Sequence, residues 1–121
     1  MDIRMAIASD FSQWLPLWRG YQAFYQTSIS DSITGLTWSR LLDPAEPMYC
    51  AVAESEQRLV GLVHYICHRS CWTEGDYVYL QDLFVSPEVR GQGVGRALIE
   101  HVYTYAAELG ASKVYWLTHE S

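Results

Sequence analysis

Residues 86–98 read SPEVRGQGVGRAL and set Gly91, Gly93 and Gly95 at alternate positions between Arg90 and Arg96. Inside regular structure glycine costs about 0.5–1 kcal/mol relative to alanine, so this run ahead of a good helix former needs a reason. The following residues, 97–109 (ALIEHVYTYAAEL), repeat Leu98, Val102, Tyr105, Ala106 and Leu109 at three- and four-residue steps, the stripe of an amphipathic helix. The glycines therefore open a helix. There, unpaired N–H groups and the helix dipole converge on one spot, and a backbone stripped of side chains lets a phosphate approach.

Spacing separates the kinds of phosphate loop. The dinucleotide pattern G-x-G-x-x-G fails because Arg96 stands where a third glycine is needed after Gly91 and Gly93. The nucleotide-hydrolase loop fails because no G-K-[ST] is present. What fits is R-x-x-G-x-G, carried by Arg90, Gly93 and Gly95. Other residues suited to chemistry lie upstream. The stretch YLQDLFV sets Gln81 beside Asp82, on opposite faces of a pleated strand unless a bulge intervenes. In GLVHYICHRSCW, His64 and His68 share one strand face and Cys67 takes the other, with Cys71 beyond. That alternation splits the ligands a four-coordinate metal would need, so no metal site is expected. An imidazole such as His64 is suited to relaying a substrate proton through water.

These residues must be positioned by ordinary elements. Residues 3–8 (IRMAIA) read as a first strand, and Ser9 or Asp10 can cap a helix running to about Gln26. Residues 27–34 (TSISDSIT) read as a loop, after which Thr37 can cap a short helix over 38–42. Residues 48–53, 59–68 and 77–85 are apolar, aromatic and β-branched runs separated by short polar turns, hence an antiparallel meander. The glycine-initiated helix then crosses over to a strand at 113–118 (KVYWLT), parallel to the one before it. The order is βααβββαβ: an α/β fold with a mixed, mostly antiparallel sheet covered by helices.

At 121 residues the chain is one domain, residues 1–121, and its 50% hydrophobic and 18% charged content is that of a packed protein. A net charge of −6 argues against nucleic acid and anionic membranes and favours cationic small molecules. The N-terminus lacks a signal-peptide pattern, no run is long enough to span a membrane, and three cysteines suggest free thiols, so a cytoplasmic location is expected.

Taken together, the strand order, the segment VYLQDLFVSPEVRGQGVG, its helix and the next strand VYWLTHE resemble the GCN5-related N-acetyltransferase (GNAT) superfamily, whose pyrophosphate loop is written Q/R-x-x-G-x-G/A. The resemblance implies acetyl-CoA as co-substrate. It implies that main-chain N–H groups of Arg90, Gly91, Gln92, Gly93, Val94, Gly95 and Arg96 hold the pyrophosphate, the Val94 side chain serving packing. It also implies that the backbone of Leu83, Phe84 and Val85 pairs with the pantetheine arm like an added strand. YLQDLFV is similar to the YLED-F-F-V stretch of diamine and thialysine acetyltransferases, where the acid beside the aspartate lies at the amine site. Here that position is Gln81, which can accept a hydrogen bond but no proton at neutral pH.

Acetyl transfer to an amine needs few parts. An alkylammonium has a pKa of about 10 and must lose a proton before it attacks, and the developing oxyanion needs a donor. A backbone N–H at Leu83 or Phe84 can supply the latter, and Asp82, Gln81 and His64 are the candidates for handling the amine. No covalent enzyme intermediate is needed. By the resemblance, Tyr25 and Trp72 lie at the acceptor pocket with Gln81, where an aromatic face attracts ammonium. The expected activity is N-acetylation of a small cationic amine in a ternary complex. The alternatives are a coenzyme A-binding module or inactive fragment without turnover, and a nucleotide-binding regulator. The family pattern continues with a helix and further strands that bring an asparagine and a tyrosine to the cofactor, which no residue here matches. The chain is therefore expected to be C-terminally incomplete, or to complete its sheet as a homodimer or strand-paired assembly.

Overall fold

The computed structural model describes residues 1–117. Its elements are β1 (Asp2–Met5), a 3-10 turn (Ala8–Asp10), α1 (Phe11–Phe24), α2 (Asp31–Leu42), β2 (Met48–Ser55), β3 (Arg58–His68), β4 (Tyr77–Val85), α3 (Val94–Leu109) and β5 (Lys113–Tyr115). The five strands form one sheet in sequence order, antiparallel from β1 to β4, with β5 parallel to β4. The expected βααβββαβ order is therefore the observed one.

Helix α3 covers one face of the sheet and α1 with α2 the other, because strand residues alternate between two apolar sets. Ala51, Val63, Tyr65, Val78 and Leu80 meet Val94, Leu98, Val102 and Ala106 of α3. Cys50, Val52 and Leu62 meet Trp14, Leu17, Trp18, Trp38 and Leu41 of α1 and α2. Each helix buries the stripe its spacing draws. Pro16 stands inside α1 but on its exposed side, where the Ser12 carbonyl that loses its donor can meet water.

Several boundaries differ from the sequence reading. The first strand ends at Met5, because the chain tightens into the 3-10 turn, where the Asp10 carboxylate accepts from the Ile7 N–H at 2.8 Å. Helix α2 begins at Asp31, not after Thr37: the Ser30 hydroxyl accepts from the Ile33 N–H at 3.2 Å and caps it. The polar run at 27–34 is thus half loop and half first turn, and Thr34 is buried within the helix. Helix α3 starts at Val94, inside the glycine run. Strand β5 is assigned over Lys113–Tyr115, and Thr118, the last residue of the strand expected there, lies outside the described residues.

Candidate active site

The site is assembled by two irregularities of β4. In the register with β3, Asp82 pairs with His64 and Leu80 with Tyr65, so Gln81 is an extra residue and forms a bulge. The bulge resolves the conflict posed by the sequence: Gln81 and Asp82 are neighbours, yet both line one cavity of about 550 Å³. The second irregularity is a splay. Strand β5 pairs with β4 only over Tyr77–Tyr79, and from Leu80 onward the outer edge of β4 has no β5 partner among the described residues. Along that edge lie two smaller cavities. One of about 230 Å³ is lined by Leu80, Gln81, Leu83, Ile99, Trp116 and Leu117, and one of about 220 Å³ by Leu83, Phe84, Val85 and Arg90. Tyr21 and Tyr25 border all three spaces, so the open strand edge and the larger cavity share one aromatic wall.

At its far end β4 runs into the glycine loop. Gly91 and Gly93 take φ of 83° and 81°, in the left-handed region that side chains disfavour. A Cβ built on either meets nothing within 4 Å. Gly93 is the residue before α3, and among the described residues no side chain caps that helix, so its first-turn N–H groups are open to a ligand. Gly95 has ordinary helical backbone, and a Cβ there would lie 3.5 Å from Val85 Cγ2. The Val94 side chain is buried in the core under α3. Arg90 sits with its guanidinium 5.9 Å from the Phe24 ring centre and 5.8 Å from that of Phe84, beside the open strand edge. Arg96 points along α3 and pairs with Glu100 at 3.2 Å. An unpaired strand edge leading to uncapped N–H groups fits an elongated ligand ending in a pyrophosphate.

The larger cavity is the candidate acceptor site. Asp82 is 8% exposed, and its Oδ2 lies 2.9 Å from His64 Nδ1. On the other side of the ring the Trp14 indole N–H donates to His64 Nε2 at 3.1 Å. The Tyr21 hydroxyl is pushed well above the usual phenol range by burial and then by the Asp82 charge and hydrogen bond. Burial likewise pushes the Cys50 thiol up, so Cys50, paired across the strand from His64, stays a thiol and not a nucleophile. Two donors on α1, Trp18 Nε1 and Gln22 Nε2, are buried without a hydrogen-bond partner among the described residues. The Gln22 amide is oriented by the Ile29 N–H, which donates to Oε1 at 2.9 Å. Among the described residues no lysine or arginine lines this cavity.

The structure thus gathers Gln81, Asp82, His64 and Tyr25 around one space. Trp72 is not among them. It lies in the β3–β4 turn, 91% exposed. His68 is also elsewhere, with Nε2 2.6 Å from the Tyr115 hydroxyl and Nδ1 2.7 Å from the Arg69 carbonyl. Among the described residues no three His, Cys, Asp or Glu side chains cluster as a metal site would. Sequence reasoning missed Trp14, Trp18 and Gln22, although their four-residue spacing, with a glutamine on an otherwise aromatic helix stripe, marks one face of α1.

A five-stranded sheet splayed beside a bulge, with a glycine loop at the end of the splayed strand, is the frame of an acyl-group transferase. A family comparison matches residues 10–121 to the Acetyltransferase (GNAT) family, and the chain belongs to that family. It is 38% identical over 111 residues to the D-amino-acid N-acetyltransferase HPA3 of Saccharomyces cerevisiae, covering 90% of this chain and 69% of that protein. To the thialysine N-epsilon-acetyltransferase of Sus scrofa it is 42% identical over 55 residues, 46% of this chain and 32% of the pig protein; the chain spans only a third of that relative. Among solved structures, the aminoglycoside N-acetyltransferase AAC(6')-Iy in complex with CoA superposes with a TM-score of 0.83 at 20% identity, covering 98% of this chain and 76% of that one. The family uses acetyl-CoA, and the open β4 edge and glycine loop described above suit it.

Proposed function

We propose that this protein transfers the acetyl group of acetyl-CoA to the primary amine of a small cationic acceptor, by direct attack while both substrates are bound. The observation that carries this reading is the bulge at Gln81, which turns the Gln81 and Asp82 side chains toward the acceptor cavity at the point where β4 loses its β5 partner.

Acetyl-CoA supplies the activated acyl group. The backbone of Leu83, Phe84 and Val85 aligns its pantetheine arm, and the main chain of residues 90–96 holds its pyrophosphate, with Arg90 adding charge in an acidic protein. On the other side, Asp82 and the Gln81 carbonyl accept hydrogen bonds from the ammonium, and Tyr21 and Tyr25 present aromatic surface to the cation. The amine loses one proton by way of the Asp82 carboxylate to solvent, becomes nucleophilic and forms the amide, and the departing thiolate is reprotonated.

The acceptor class we favour is an amine that also carries a carboxylate or carbonyl oxygen. Two relatives are named for acetylating amino-acid amines. The unpartnered Trp18 and Gln22 N–H groups beside the cavity would gain a partner from such an oxygen. The test is release of free thiol from acetyl-CoA with paired amines, each amino acid against its decarboxylated analogue. Turnover of the amino acids above their analogues supports the reading; equal turnover removes the oxygen requirement; and acetyl-CoA binding without turnover of any amine leaves a coenzyme A-binding module instead.

A further inference from the structure

We propose that Trp14 is a positioning residue for the acetyl transfer: its indole N–H locks His64 in one tautomer, and that tautomer holds the Asp82 carboxylate at the acceptor cavity. The inference rests on the acetyltransferase reading above, with Asp82 as the group that meets the amine.

An indole nitrogen can only donate. The Trp14 Nε1–H lies 3.1 Å from His64 Nε2, which must therefore present its lone pair. The ring proton is then on Nδ1, 2.9 Å from Asp82 Oδ2, and the imidazole donates to the carboxylate. Every link is buried, with Trp14 at 0%, His64 at 3% and Asp82 at 8% exposure. The ring is also wedged by aromatics: Trp18 meets it edge-on, with ring centres 4.7 Å apart.

The consequence is chemical. An imidazolium carries N–H on both nitrogens, and its Nε2–H would face the Trp14 N–H head-on. While Trp14 is in place, His64 is kept from taking up the substrate proton, which excludes the proton relay that the sequence suggested for this histidine. Its part is to aim one Asp82 oxygen and leave the rest of the carboxylate for the amine. The titratable groups facing His64 are Cys50 from β2, Asp82 from β4 and, through Asp82, Tyr21 from α1. Cys50 and Tyr21 are held protonated by burial, so neither supplies a competing charge near neutral pH.

Two measurements test this. Nitrogen-15 NMR of the imidazoles at neutral pH should show His64 as a single Nδ1–H tautomer. A His64 carrying its proton on Nε2, or exchanging between the two tautomers, overturns the proposal. In kinetics, Trp14→Phe keeps an aromatic ring but frees Nε2. Its kcat should fall roughly ten- to hundredfold with the KM for acetyl-CoA unchanged, and its nitrogen spectrum should show both tautomers of His64. The same kcat and the same single tautomer as wild type, in a folded variant, overturn it too. Should Trp14→Phe fail to fold, His64→Asn and His64→Leu decide the matter. The asparagine amide N–H can replace Nδ1–H and should retain activity that leucine loses; equal activities contradict the proposal. Absence of turnover by the wild-type chain removes the transfer reading and Trp14's role in it, while the nitrogen spectra still decide whether the tautomer is locked.

Discussion

Gly91, Gly93 and Gly95 look alike in the sequence but do different work. The φ values of 83° and 81° make Gly91 and Gly93 conformational requirements of the loop, whereas Gly95 is an ordinary helical residue with room for a methyl group. Gly95→Ala should therefore fold normally and gain up to about 1 kcal/mol of stability, since alanine is the better helix former. If the loop holds the pyrophosphate through its main chain, the same variant should retain its affinity for acetyl-CoA, since the pattern admits alanine at this position. Calorimetric titration beside thermal unfolding reads both; a marked loss of stability would contradict the helical role of Gly95. Gly93→Val should lose both stability and affinity, because valine is strained at that φ. The loop was legible because glycine has few other reasons to recur at a helix start. The Trp14, His64 and Asp82 chain was not, because it joins residues 50 and 18 positions apart that only the folded sheet brings together.

Among the elements, α1 meets β4 where Gly20 faces the Phe84 ring. A Cβ on Gly20 would stand 2.9 Å from Phe84 Cζ, so this glycine lets the helix lie against the strand that carries the site. Gly20→Val should reduce stability by about 1–3 kcal/mol through overpacking, seen as a lower urea midpoint with an unchanged slope. An unchanged midpoint would mean that Phe84 and Arg90 simply swing aside. The strands and their pairing were readable from alternation and turn length, and α3 from its stripe. The start of α2 was not, because serine and threonine serve equally in a loop and at a cap, and only the Ser30 bond to Ile33 decides between them. The bulge at Gln81 escaped as a certainty for a related reason: it is a mismatch in pairing with β3, and no residue type announces it.

At the scale of the whole molecule, charge and pH enter. With a net charge of −6, the protein should attract a cationic acceptor, so its KM should rise with ionic strength while that for acetyl-CoA does not rise in parallel. Stability should fall on acidification in two stages. Burial holds His101 below the usual imidazole value, so the unfolded chain takes its proton first and stability declines as pH drops below about 6.5. The Arg4 guanidinium holds Asp10 below the usual carboxylate range, at 2.8 Å. Its contribution is complete above pH 4 or so and is lost as pH falls toward its depressed native value. Denaturation followed from pH 8 to 3 checks both; His101→Phe should flatten the first stage, and a flat first stage in wild type would contradict the assignment. The most direct test of the central claim is thiol release by Asp82→Asn, measured with an amine the wild-type chain accepts and alongside acetyl-CoA titration. The account predicts kcat reduced by about 10² or more with acetyl-CoA affinity retained. Wild-type turnover in the asparagine variant would contradict it.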